Sequence, residues 1–272
     1  MSSVRLLAVE TATHHQSVAV LDGQTVVARS DQDARGAHAK WLVPTIDRVL
    51  ASEGLALSDL DGLAVSIGPG SFTGLRVGLA TMMGLRVVTG LPLVAVPTLE
   101  AMAWNLRSAD RPLCPILKCR RGEVYWALYQ WTSAGALRCV TDEQVGPLEL
   151  LAQSINGPTL VFGEGWQTYR DDIRRLLGAR ACEAPPEAMA ASAVSVGLAG
   201  LERLARGEVA GQGLSPRYVQ RAEAELSGCG RAGTRPAGAG GAPSHSNRMR
   251  SAGPPKVGQG SRSCNRREAV IL

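Results

Sequence analysis

The sequence predicts an α/β protein with mixed sheets, and three observations carry that expectation. Short strands come in a row near the start of the chain and again near its middle. Strands alternate with helices after each of these runs, and turn residues punctuate the joins. The two strand-rich beginnings, near Leu6 and near Pro112, predict two related lobes over residues 1–110 and 111–226, without an obvious sequence repeat.

Residues 6–10, 17–22 and 25–30 read as strands, with Asp22-Gly23 as the hairpin turn between the second and third. A helix follows over 37–53, where Leu42, Ile46, Val49 and Leu50 recur at helical spacing and Gly54 ends it. Pro44 inside it predicts a bend or a second start. A buried strand at 63–66 leads through a glycine loop into a long helix over 72–88. The strand 93–96 comes next, and Pro97-Thr98 opens a helix over 99–106. In the second half, 115–119, 123–131 and 137–144 form a strand meander turning at Arg121-Gly122 and Ala134-Gly135. A helix at 148–154, a strand at 159–162 and helices at 166–177 and 194–206 complete the pattern.

Composition narrows the function. The 272 residues carry a formal charge of +5, but residues 227–272 hold eight of the 29 Lys and Arg and one of the 24 Asp and Glu. The body of the chain is therefore slightly acidic, and a nucleic-acid role cannot be read from overall charge. Residues 227–272 are rich in Gly, Ala, Pro, Ser and Arg without periodicity. They cannot bury enough surface to offset their ordering entropy, so the expectation is a disordered basic tail. The six cysteines, at 114, 119, 139, 182, 229 and 264, lack metal-ligand spacing. Neither a signal peptide nor a membrane span is expected, which points to the cytoplasm.

The most informative segment is Ser66-Ile67-Gly68-Pro69-Gly70-Ser71-Phe72-Thr73-Gly74-Leu75-Arg76-Val77-Gly78. A strand–glycine loop–helix join can hold a phosphate at the helix N-terminus, or it can let a helix pack very close to a neighbour. Ser71 is expected to cap the helix. The helix carries two apolar stripes: Phe72, Leu75, Leu79, Met82 and Met83 on one, and Val77, Ala80, Gly84, Val87 and Val88 on the other. A helix lying on a sheet needs one stripe, so this one is either internal or covered by another chain.

These residues carry a resemblance. The segment 7–13 (LAVETAT), the glycine loop to Gly78, 96–102 (VPTLEAM), 120–125 (RRGEVY) and 215–219 (SPRYV) occur in the order found in the TsaB (YeaZ) family. The resemblance covers about residues 4–225. It implies a two-lobed fold of the actin/Hsp70/sugar-kinase type with a reduced second lobe, and a non-catalytic subunit of bacterial tRNA threonylcarbamoyladenosine synthesis. It also implies docking onto the catalytic paralogue TsaD, with the ATPase TsaE as a third component and tRNA reached through the complex. ATP and metal are then expected on the partner subunits, and no cofactor on this chain.

The residues agree with that implication. The paralogue's two metal-binding histidines, four apart on a helix, correspond to Thr98 and Met102, which cannot replace imidazole for a divalent metal. Glu100 between them is expected to face solvent. His14 and His15 are expected to point opposite ways. The fold's two phosphate-site aspartates correspond to Glu10 and Lys118, and a lysine cannot hold Mg²⁺. A degenerate nucleotide site near Glu10, Thr11 and Lys118 is expected, with Glu10 and Lys118 paired across the cleft. Leu42, Ile46, Leu50, Gly70, Gly74, Arg76, Gly78, Met82 and Met83 are the expected partner interface, which a homodimer would share. On that basis Gly78→Leu is expected to abolish docking and leave the fold intact, and Arg76 to meet an acid or carbonyl of the partner. The competing readings are an independent ATP-dependent enzyme of the same fold and an RNA binder acting through the basic tail.

Overall fold

The computed structural model of the chain describes residues 3–211 and 213–219. The first lobe begins with β1 (Arg5–Glu10), β2 (His15–Asp22) and β3 (Thr25–Asp33), followed by α1 (His38–Ala51), β4 (Gly62–Ser66), α2 (Phe72–Thr89), β5 (Leu93–Val96) and α3 (Thr98–Ala103). The second repeats that order with β6 (Leu113–Lys118), β7 (Glu123–Trp131), β8 (Leu137–Pro147), α4 (Leu148–Ser154), β9 (Thr159–Phe162), α5 (Glu164–Leu177), β10 (Ala181–Glu183) and α6 (Ala193–Ala205).

The repetition extends to the sheets. The first is ordered β3-β2-β1-β4-β5 and the second β8-β7-β6-β9-β10. In each, three antiparallel strands join two parallel ones through the central strand: β1 pairs β2 antiparallel and β4 parallel, as β6 pairs β7 and β9. Parallel pairing needs a crossover, and α1, α2, α4 and α5 supply it. This is the duplicated mixed-sheet lobe of the actin/Hsp70/sugar-kinase type. The second lobe is reduced in its crossover helices and not in strand number: α4 has 7 residues where α1 has 14, and α5 has 14 where α2 has 18.

Two cores hold the lobes. Leu7, Val9, Val18 and Val20, on one face of the first sheet, pack against Leu42, Ile46, Val49 and Leu50 of α1 and Leu79 and Met82 of α2. The opposite face, Leu6, Ala8, Ala19 and Leu21, joins a core that runs on into the second lobe. Here the last helices cross over: α6 packs under the first sheet, and α3 packs on β6 and β7 of the second. The sequence boundary near residue 110 therefore does not divide the core.

Most element boundaries agree with the sequence to within a few residues, but some local expectations are corrected. β10 carries too few apolar residues for its own signal and gains its place by pairing parallel with β9. α1 runs unbroken through Pro44, because that residue lies on the exposed side, where water can serve the carbonyl left without a donor. The α3 helix ends at Ala103 and tightens into a single turn over Trp104–Leu106. The predicted tail, 227–272, lies outside the described residues.

Candidate functional site

The glycine loop and the β1–β2 turn are built against each other. Ser71 N donates to Ala12 O at 2.6 Å. A Cβ on Gly70 would lie 2.3 Å from that same carbonyl, one on Gly74 would lie 2.1 Å from Thr11 O, and one on Gly78 would lie 2.3 Å from Thr11 Oγ1. Gly68, with φ of +112°, adopts a backbone conformation that side chains rarely allow. Ser71 caps α2, accepting from Gly74 N at 3.3 Å. Of the two uses open to this loop, close packing is the one the geometry favours. The bare backbone of the loop and first turns of α2 is filled by Thr11 and Ala12.

That packing seals Glu10. Its carboxylate is fully buried, accepts from Ala12 N, and has one oxygen without a hydrogen-bond partner. Burial pushes its pKa up to about 7, with the Ala12 amide the largest opposing influence. From the other side, His38 on α1 is buried and its Nε2 donates to Thr13 O at 3.1 Å. Burial holds its pKa below the usual histidine range.

A cleft of about 870 Å³ does open between the lobes, lined by Thr13, His14, Arg35, Ser71, Lys118 and Tyr125 among others. Lys118 is exposed there, while Glu10 and Thr11 lie beneath its floor. The expected Glu10–Lys118 pair does not form. The reason is the sealed turn, which leaves the acid inside and the lysine in solvent. The three residues expected to mark a degenerate nucleotide site are thus not one site.

The metal-ligand positions have structural duties instead. Thr98 is buried and its hydroxyl accepts from Gly68 N at 3.1 Å, clamping the glycine loop. Met102 is buried in the core, close against Gly163. Glu100 does not simply face solvent as expected: Arg203 of α6 grips it with two hydrogen bonds, Nε to Oε1 at 3.0 Å and Nη2 to Oε2 at 2.6 Å. His14 and His15 also depart from expectation. The chain bends at His14 before β2 begins, and the two rings lie 4.0 Å apart between centroids. Among the described residues, no group of three or more His, Cys, Asp or Glu side chains could hold a metal ion.

The expected interface residues divide. Leu42, Ile46, Leu50 and Met82 are buried against the chain's own first sheet, and Gly70, Gly74 and Gly78 meet Thr11 and Ala12. All but Gly70 are buried and cannot form an outer surface; Gly70 is half-buried and lines the cleft. Met83 is half-buried against that same core. Arg76 is exposed, and in place of the expected acid or carbonyl of a partner it meets its own chain: Nε donates to Tyr218 Oη at 3.3 Å, while the guanidinium lies 3.7 Å over the Phe72 ring. The second apolar stripe of α2 is the outward one. Of its residues Ala80, Gly84, Val87 and Val88 are exposed, the last two at 85% and 81%, while Val77 is half-buried; Phe72 of the first stripe is exposed beside them. On adjacent α1, Trp41 and Val43 are exposed as well. The two-stripe pattern is explained in this way: the chain's own sheet covers one stripe and leaves most of the other exposed.

Known proteins share this architecture. A family model described as "TsaD: tRNA N6-adenosine threonylcarbamoyltransferase" matches residues 30–156. The Bacillus subtilis (strain 168) tRNA threonylcarbamoyladenosine biosynthesis protein TsaB is 30% identical over 223 residues, covering 81% of this chain and 96% of its own. Its Escherichia coli (strain K12) namesake is 37% identical over 174 residues, covering 62% of this chain and 74% of its own. The chain belongs to the TsaB family. The solved structure of YeaZ from Pseudomonas aeruginosa superposes with a TM-score of 0.67 at 28% identity, over 79% of this chain and all of that one. Membership of the TsaB family accounts for both the two lobes and the TsaD-type match. No helix among the described residues is long and apolar enough to cross a membrane.

Proposed function

We propose that this chain serves tRNA threonylcarbamoyladenosine synthesis as a non-catalytic subunit, docking the outer face of α2 and the adjoining face of α1 onto a TsaD-type transferase. The exposed second stripe of α2 carries this proposal. Burying a valine side chain is worth on the order of 1.5–3 kcal/mol, and Val87 and Val88 leave that gain unrealised within the chain. Contiguous apolar surface of this kind marks interaction sites.

The proposed lack of catalysis is supported by the sealed Glu10, the exposed Lys118 and the structural duties of Thr98 and Met102. ATP and metal would then act on the partners, with a TsaE-type ATPase as third component and tRNA held by the complex. A second copy of the chain could use the same face when the transferase is absent.

Ala80→Glu tests the docking face. The residue is exposed in mid-helix, so the fold should persist while a charge enters the apolar stripe. In light scattering after mixing with a TsaD subunit, the wild type should form a complex and Ala80→Glu should remain apart, with an unchanged circular-dichroism spectrum. A variant that still forms the complex would contradict this site.

A further inference from the structure

The end of the described chain, residues 207–211 and 213–219, has neither helix nor strand, yet it is tied to both lobes. Ala210 N donates to Leu93 O at 2.8 Å, and Arg86 of α2 reaches Ala210 O and Gly211 O at 2.8 and 3.0 Å. Leu214 packs onto the core shared by α1 and α2. Arg217 N donates to Ile67 O at 2.7 Å, and Arg217 O lies so close to Gly68 that a Cβ there would be 2.7 Å away. Tyr218 then stacks on Phe72 at 5.7 Å between centroids and accepts from Arg76. Among the described residues this strap therefore presents a half-exposed aromatic ring on the outer side of α2.

One side chain of the strap reaches the second lobe. Arg217 Nε lies 2.9 Å from Glu143 Oε2 of β8, and the Glu143 side chain is only 4% exposed. The contact is an ion pair without hydrogen-bond alignment. The nearby Arg203 is already held by Glu100 and Glu208. A buried carboxylate beside a half-exposed arginine of an otherwise irregular segment suits a positioning role better than surface solvation.

We propose that the Glu143–Arg217 ion pair is a latch that holds the strap on α2 and so fixes Tyr218, with Phe72 and Arg76, as an aromatic anchor of the docking face. The anchor rests on the docking reading above; the latch does not. Tyrosine and arginine are the side chains that dominate interface energies, and holding them ready lowers the ordering cost of association. Glu143 and Arg217 are positioning residues, and Tyr218 is the contact.

The latch has a pH signature. Burial pushes the Glu143 pKa up to about 7; Arg217 opposes this, while Glu100 of α3 and Asp142 of β8 reinforce it. Tyr129 of β7 and Cys139 of β8 face the same cluster, and burial raises both. The ion pair needs the carboxylate, so it is made above about pH 7 and lost below it.

Hydrogen exchange and calorimetry on the full chain test the proposal. Glu143→Gln should speed exchange of the Arg217 amide about tenfold at pH 8, relative to unstructured-peptide rates, with β1 and β4 amides unchanged. The wild-type Arg217 amide should lose protection between pH 8 and 6, and the variant should not. Unchanged Arg217 exchange in Glu143→Gln would overturn the latch. For the anchor, Tyr218→Ala and Glu143→Gln should each weaken binding of a TsaD subunit about tenfold. Wild-type affinity for Tyr218→Ala, alongside binding lost by Ala80→Glu, would overturn the anchor and leave the docking face standing. Wild-type affinity for both Tyr218→Ala and Ala80→Glu would overturn the docking reading, while the exchange result still decides the latch.

Discussion

Glu10 shows most clearly how a single residue changes meaning with its surroundings. At the end of a first strand beside a glycine loop it looks like a phosphate-site acid, and the sequence holds nothing that says otherwise. Burial makes it a carboxyl titrating near 7, closed off by Ala12 and the turn. Its folded-state proton is held more tightly than that of the unfolded chain, whose pKa is near 4.5. Its contribution to stability is therefore most favourable below about pH 4.5 and is lost as pH rises to about 7. Glu10→Gln keeps an acceptor for Ala12 N without the charge. In urea unfolding it should stabilise the protein at pH 8 by about 3 kcal/mol and change little at pH 4. Equal effects at both values would mean the carboxylate is not desolvated as the structure implies. Long-range facts of this kind, like the Glu100–Arg203 pair spanning 103 residues, leave no trace in local spacing.

At the scale of elements, the strand–glycine loop–helix unit is legible in sequence, down to the Ser71 cap, because caps, turns and periodicity are local chemistry. What its glycines face is not local. Gly74 and Gly78 meet Thr11, more than sixty residues earlier, and not another protein. The expectation that Gly78→Leu would spare the fold is therefore corrected: a side chain there has Thr11 in its way. Gly78→Ala should destabilise the monomer by about 1–3 kcal/mol through overpacking. Adding Thr11→Ala removes the obstructing hydroxyl and should restore most of that loss, which denaturant titration of the single and double variants can resolve. Purely additive effects would show that the two residues do not press on each other. The inward face of α1 was equally ambiguous from sequence. Leu42, Ile46 and Leu50 at helical spacing identify an apolar face, but spacing does not say whether sheet or partner covers it.

For the whole molecule, the two lobes could be foreseen from their strand-rich starts, and the duplicated sheet order follows that prediction. The exchange of α3 and α6 beneath each other's sheets could not, since it depends on which faces remain uncovered after each lobe forms. The outcome is a glycine-loop turn filled by Thr11 and Ala12 and a face of α2 that the described residues leave uncovered. The central claim is that this outer face, and not the buried Glu10 turn beneath the cleft, is what the chain contributes. It is tested most directly by reconstituting tRNA threonylcarbamoylation from purified TsaD and TsaE subunits, substrates and this chain. The account predicts that wild type and Glu10→Gln support modification equally and that Ala80→Glu supports none. Activity lost with Glu10→Gln and kept with Ala80→Glu would contradict it.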